Sequence, residues 1–138
     1  MEISEHNVIW YFHDYNQKYF GGILPFPQLK IRHSYKILGY FSCEYDKNGE
    51  MFNQCIEISD NYDYLEYQFK DILMHEMIHY YLAYVGLDVN CEHGTEFLNM
   101  AEDFNIKYKM NITPTINMNE YTLKKGKSIF MYKLSTLF

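Results

Sequence analysis

The stretch LEYQFKDILMHEMIHYYLAYVG, residues 65–86, carries the densest pattern in this chain. Leu65, Phe69, Ile72, Leu73, Leu82 and Val85 recur at helical spacing and Gly86 supplies a stop, so the spacing predicts one long helix that follows the turn and cap residues Ser59-Asp60-Asn61. Inside it lies His75-Glu76-Met77-Ile78-His79, an HExxH. Residues four apart on a helix share a face, so both imidazoles can reach one metal ion. Neutral imidazole is a good zinc ligand, with bonds of about 2.0–2.1 Å. Glu76 sits one position round from His75, where it can reach a metal-bound water and accept its proton as that water attacks a carbonyl.

A catalytic zinc needs a third protein ligand and an open fourth position. The metzincin extension would place glycine and histidine where this chain has Leu82 and Val85, which excludes that class. His93, Glu92 and Glu96 are the nearby candidates, with Glu102 further along. Cys91 reads as a buried structural cysteine, and Met74 and Met77 as packing. Asp71, one helical turn before His75, either orients an imidazole or faces solvent. An oxyanion needs a donor beside the metal, for which Tyr80, Tyr81, Tyr84, Arg32 and His33 are all candidates. His6 and His13 lack ligand spacing to anything.

Upstream, residues 4–20 read as a helix capped by Ser4, with Val8, Phe12, Tyr15 and Tyr19 on one face and Gly21-Gly22 ending it. Strand-like runs follow at Leu29–Ser34, Leu38–Tyr45 and Met51–Ile58, the last two joined by the turn Asp46-Lys47-Asn48-Gly49. Met51–Ile58, just before the motif helix, is the expected edge strand for an extended peptide. Downstream, Thr95–Phe104 reads as a shorter helix. A hairpin is expected beyond Pro114, with arms Glu120–Leu123 and Ser128–Tyr132. The order helix, three strands, two helices predicts an α+β fold with a small three-stranded sheet.

At 138 residues the chain fits one domain. The expected division is a domain over 1–105 and a basic hairpin extension over 106–138 packed on it. Residues 1–105 carry six Lys/Arg against seventeen Asp/Glu, while residues 106–138 carry six lysines against Glu120 alone. An acidic body argues against wrapping nucleic acid, and the basic tail leaves only a weak local contact open. Three widely spaced cysteines, without a CxxC pair, point away from a disulfide framework and towards the cytoplasm. No run is long enough for a membrane span, and a secretory signal is not expected.

Several segments together resemble the SprT-like (Spartan-type) metalloprotease family. Tyr15-Asn16-Gln17-Lys18-Tyr19-Phe20-Gly21-Gly22-Ile23-Leu24-Pro25 is similar to the family's opening motif, and Lys36-Ile37-Leu38-Gly39-Tyr40-Phe41 to its strand with a central glycine. The HExxH followed by His93-Gly94-Thr95-Glu96-Phe97 resembles its HExxH…HGxxF signature. The resemblance implies a zincin-like fold, zinc on His75, His79 and His93, Glu76 as the catalytic base, and protein substrates. It also implies a departure, since many relatives continue into a cysteine-rich zinc ribbon and no cysteine follows Cys91 here. Two other readings are a nucleic-acid-associated module with little or no activity, and a metal-stabilised structural domain. The first predicts steeply salt-dependent DNA binding, and the second a closed four-ligand site.

Overall fold

A computed structural model describes residues 1–88, 90–116, 120–124 and 136–137. Helix α1 spans Glu5–Tyr19 and begins as expected, with Ser4 Oγ accepting the Asn7 N–H at 3.2 Å. It buries Val8, Phe12 and Tyr15. The buried Asn16 side chain bonds both backbone groups of Leu24, accepting at 3.2 Å and donating at 3.0 Å. That clamp closes the Gly21-Gly22 turn, whose φ values of +64° and +72° suit residues without a Cβ.

Strands β1 (Gln28–Arg32), β2 (Ile37–Tyr45) and β3 (Met51–Ser59) follow. Helices α2 (Glu66–Tyr84) and α3 (Thr95–Tyr108) come next, with the short strands β4 (Tyr62–Asp63) before α2 and β5 (Thr122–Leu123) and β6 (Thr136–Leu137) after α3. The fold is α+β. The main sheet has four strands in the order β1-β3-β2-β6, one more than expected, because β6 joins β2 in parallel at Ile37 and Gly39.

Two expectations need correction, and a third reaches beyond the described residues. Met51–Ile58 is not an edge strand: β3 lies inside the sheet, parallel to β1 over Cys55–Ser59 and antiparallel to β2 along its length. Its alternation puts Ile56 and Ile58, both fully buried, on one face of the sheet. The arm Glu120–Leu123 finds its partner outside the tail, since Thr122 and Leu123 pair with Asp63 and Tyr62 of β4. The other arm, Ser128–Tyr132, lies outside the described residues. Finally, Ser59-Asp60-Asn61 does not cap α2. The chain makes β4 first, and α2 starts at Glu66 with Gln68 Oε1 accepting the Leu65 N–H at 3.0 Å.

Helix α2 packs on β2 and β3 on one side and on α3 on the other. From Ile72 to Tyr80 every residue is buried, so α2 is a central helix rather than an amphipathic cover. Met74 and Met77 are wholly buried packing residues. Leu65 and Val85, assigned to the apolar stripe by spacing, are exposed because they flank the part that the sheet and α3 enclose. Among the described residues no helix is long and apolar enough to cross a membrane.

Candidate metal centre

The centre is built by α2 and the start of α3. His75 and His79 project from one face of α2, and His93 enters from the loop that ends at Gly94, the N-cap of α3. Their three Nε2 atoms form a small triangle: His75 to His93 is 3.0 Å, His79 to His93 is 3.0 Å and His75 to His79 is 3.2 Å. At such separations a point about 2.0–2.1 Å from all three nitrogens lies just off the plane of the triangle, which matches zinc–imidazole bonds. The three residues could therefore hold a metal ion. Glu92, Glu96 and Glu102 are exposed and stand outside this group. Cys91 is also outside it, and burial pushes its thiol up to about 12.

Protonation favours ligation. Burial, reinforced by the neighbouring His79 and His93, drives the His75 pKa well below its ordinary value. Burial and His93 lower His79 to about 4. Burial lowers His93 as well, partly offset by the Asp88 carboxylate. All three imidazoles are thus neutral near pH 7, the form that binds metal. The tautomer of His75 is set by the Thr113 carbonyl, 2.9 Å from Nδ1. A carbonyl only accepts, so Nδ1 carries the proton and the lone pair sits on Nε2, inside the triangle.

Two residues without a predicted role complete the walls. The Phe97 ring is wholly buried and lies 4.7 Å from the rings of His75 and His79 and 5.0 Å from that of His93. It forms an apolar floor beneath all three ligand candidates. Its place four residues after His93, at the start of α3 just beyond the loop that carries the histidine, was the sequence signal for this contact. Thr113 lies 38 residues from His75 and had no local signal at all.

Glu76 is wholly buried, with Oε2 4.0 Å from His75 Nε2. Burial raises its pKa well above the ordinary carboxylate range; the Phe41 backbone amide lies near enough to offset this in part, but it does not reach hydrogen-bond geometry with either oxygen. Asp71 does not touch an imidazole. It is half-buried, and Oδ1 accepts the Asn111 N–H at 3.1 Å. Several oxyanion candidates are engaged elsewhere: Tyr80 donates to the Pro25 carbonyl, Arg32 pairs with Glu57 and His33 with Asp60.

No curated protein and no solved structure matches the chain significantly. The model described as the SprT-like family does match it, over residues 9–125, most of its length. That span takes in the three clustered histidines, Glu76, Gly39 and Thr113, so the resemblance seen in the motifs extends over the whole site, and the chain belongs to the SprT-like family.

Proposed function

We propose that the chain is a zinc-dependent endopeptidase with a zincin-like site, in which His75, His79 and His93 hold the metal and Glu76 is the general base. The observation that carries this is the triangle of neutral Nε2 atoms with one buried carboxylate beside it. Three imidazoles, with no fourth His, Cys, Asp or Glu joining them among the described residues, would leave a bound metal the open position of a catalytic donor set. Zinc bound there supplies Lewis acidity, polarising a carbonyl and bringing the pKa of a bound water towards about 7. Glu76, with a raised pKa and no competing hydrogen bond, takes a proton from the attacking water and returns it to the departing amine.

The correction to β3 moves the expected peptide edge to β2. Among the described residues, β6 pairs with β2 only at Ile37 and Gly39. The Phe41 backbone amide approaches Glu76, and beyond it an extended protein segment can add to the outer side of β2 by backbone hydrogen bonding. The test compares zinc content and cleavage of an unfolded protein for the wild type and Glu76→Gln. Both proteins should hold one zinc, with cleavage lower by at least about a hundredfold in the variant. A zinc-free wild type, or equal cleavage by the two, would overturn the proposal.

A further inference from the structure

We infer that Asp71 and Asn105 are positioning residues for this centre: from two different helices they clamp residues 111–113 so that the Thr113 carbonyl meets His75 Nδ1. The inference rests on the metal site proposed above. Asn111, Ile112 and Thr113 lie outside any helix or strand, yet each is held by a side chain. The Asn111 N–H donates to Asp71 Oδ1 of α2 at 3.1 Å. The Ile112 N–H donates to Asn105 Oδ1 of α3 at 2.7 Å, and Asn105 Nδ2 donates back to the Ile112 carbonyl at 2.9 Å. The next residue, Thr113, presents its carbonyl to His75 Nδ1 at 2.9 Å.

Asn105 thus treats Ile112 as a neighbouring strand would, satisfying both backbone groups, while the Ile112 side chain is buried in the core. Packing alone does not fix this strip. A cavity of about 470 Å³, lined by Gln68, Asp71, Asn111, Thr113 and Pro114 among others, opens along it. With space beside it, the strip would shift unless hydrogen bonds held it, and the Thr113 carbonyl would leave Nδ1. His75 would then be free to turn or to move its proton to Nε2, which cannot bind a metal while protonated. The His79 ring, by contrast, is set by packing, because its Nδ1 has no partner among the described residues.

The experiment measures zinc affinity by chelator competition and the His75 tautomer of the metal-free protein by long-range ¹H–¹⁵N NMR. The proteins compared are the wild type, Asp71→Ala, Asp71→Asn and Asn105→Ala. Outer partners of metal-bound histidines typically govern about 10–100-fold in affinity, so both alanine variants should weaken zinc by that factor and populate the Nε2–H tautomer. The Asp71→Asn amide oxygen can still accept the Asn111 N–H, so this variant should stay within about threefold of wild type and keep the tautomer. If Asn105→Ala does not fold, the two variants of the half-buried Asp71 carry the test. A folded Asp71→Ala with wild-type affinity and tautomer would overturn the clamp. So would an Asp71→Asn as weak as the alanine variant, since that would make charge rather than the hydrogen bond responsible. A wild type that binds no zinc would sink the proposed metal site, while the tautomer comparison would still judge the clamp.

Discussion

A Cβ built on Gly39 would lie 2.8 Å from Glu76 Oε2 and 3.1 Å from Glu76 Cγ, so the absent side chain of one residue is the space occupied by the other. Gly39 has no left-handed backbone to explain it, and it sits on the face of β2 that meets α2, two residues before Phe41, which stacks on Tyr80. The glycine serves clearance. Gly39→Ala should displace the Glu76 carboxylate and press on Ile72, whose Cγ2 would be 3.0 Å away. Overpacking of this kind costs about 1–3 kcal/mol, read by urea denaturation. Proteolysis should fall further than stability does, with zinc retained. Wild-type stability together with wild-type turnover would show that the strand yields freely and the clearance is not needed.

Glu76 should make the metal-free protein weaker as pH rises. Its folded pKa lies above the unfolded value, so the folded state holds its proton more tightly. That contribution is complete below the unfolded pKa and is lost as pH climbs through the folded one. In metal-free samples Glu76→Gln should therefore be the more stable protein at pH 8, with the gap closing towards pH 5. A constant gap across a pH series of denaturation midpoints would contradict a buried, unpartnered carboxylate.

His79 acts with the opposite sign. Its folded pKa of about 4 lies below the unfolded value of 6.5, so its contribution is present above pH 6.5 and is lost as pH falls towards about 4. In a metal-free Glu76→Gln background, which removes the competing carboxylate, stability should drop between pH 7 and pH 5. His79→Gln added to that background should flatten the drop. The two curves running parallel would mean that the imidazole is not held neutral by burial.

Phe97 is expected to be costly to remove because it fills the space under three imidazoles at once. Phe97→Ala should lose about 3–5 kcal/mol of stability, and Phe97→Leu considerably less. Zinc affinity should fall in the same order as the rings lose their floor. Unaltered affinity in a folded Phe97→Ala would show that the helix alone orients the histidines.

Truncation after Asn105 should abolish tight zinc binding rather than merely trim a tail. It deletes Ile112 from the core, the Thr113 carbonyl from His75 and the β5 partner of β4. Metal analysis of the truncated protein, with circular dichroism as a check on folding, tests this. Stoichiometric tight zinc in a folded 1–105 fragment would contradict it.

Local chemistry made much of this legible in advance. The pair His75 and His79 depends only on the helical repeat, and Gly39, His93 and Phe97 lie inside the short segments that resemble the family's motifs. The Ser4 cap, the Gly21-Gly22 stop and the shared face of Ile56 and Ile58 follow from φ preferences and period-two alternation, which act between near neighbours. What depended on residues far apart in the chain had no such signal. The interior place of β3 arises because β1, separated from it in sequence by β2, pairs with the side that β2 leaves open, and β5 turns to β4 because Tyr62 and Asp63 lie alongside it in space. Asp71 has a carboxylate suited to bonding an imidazole, yet it takes the Asn111 amide 40 residues on, and an asparagine on α3 holds the segment that orients His75. A sequence specifies which groups can bond, but only the folded chain decides which of them come within about 3 Å of each other.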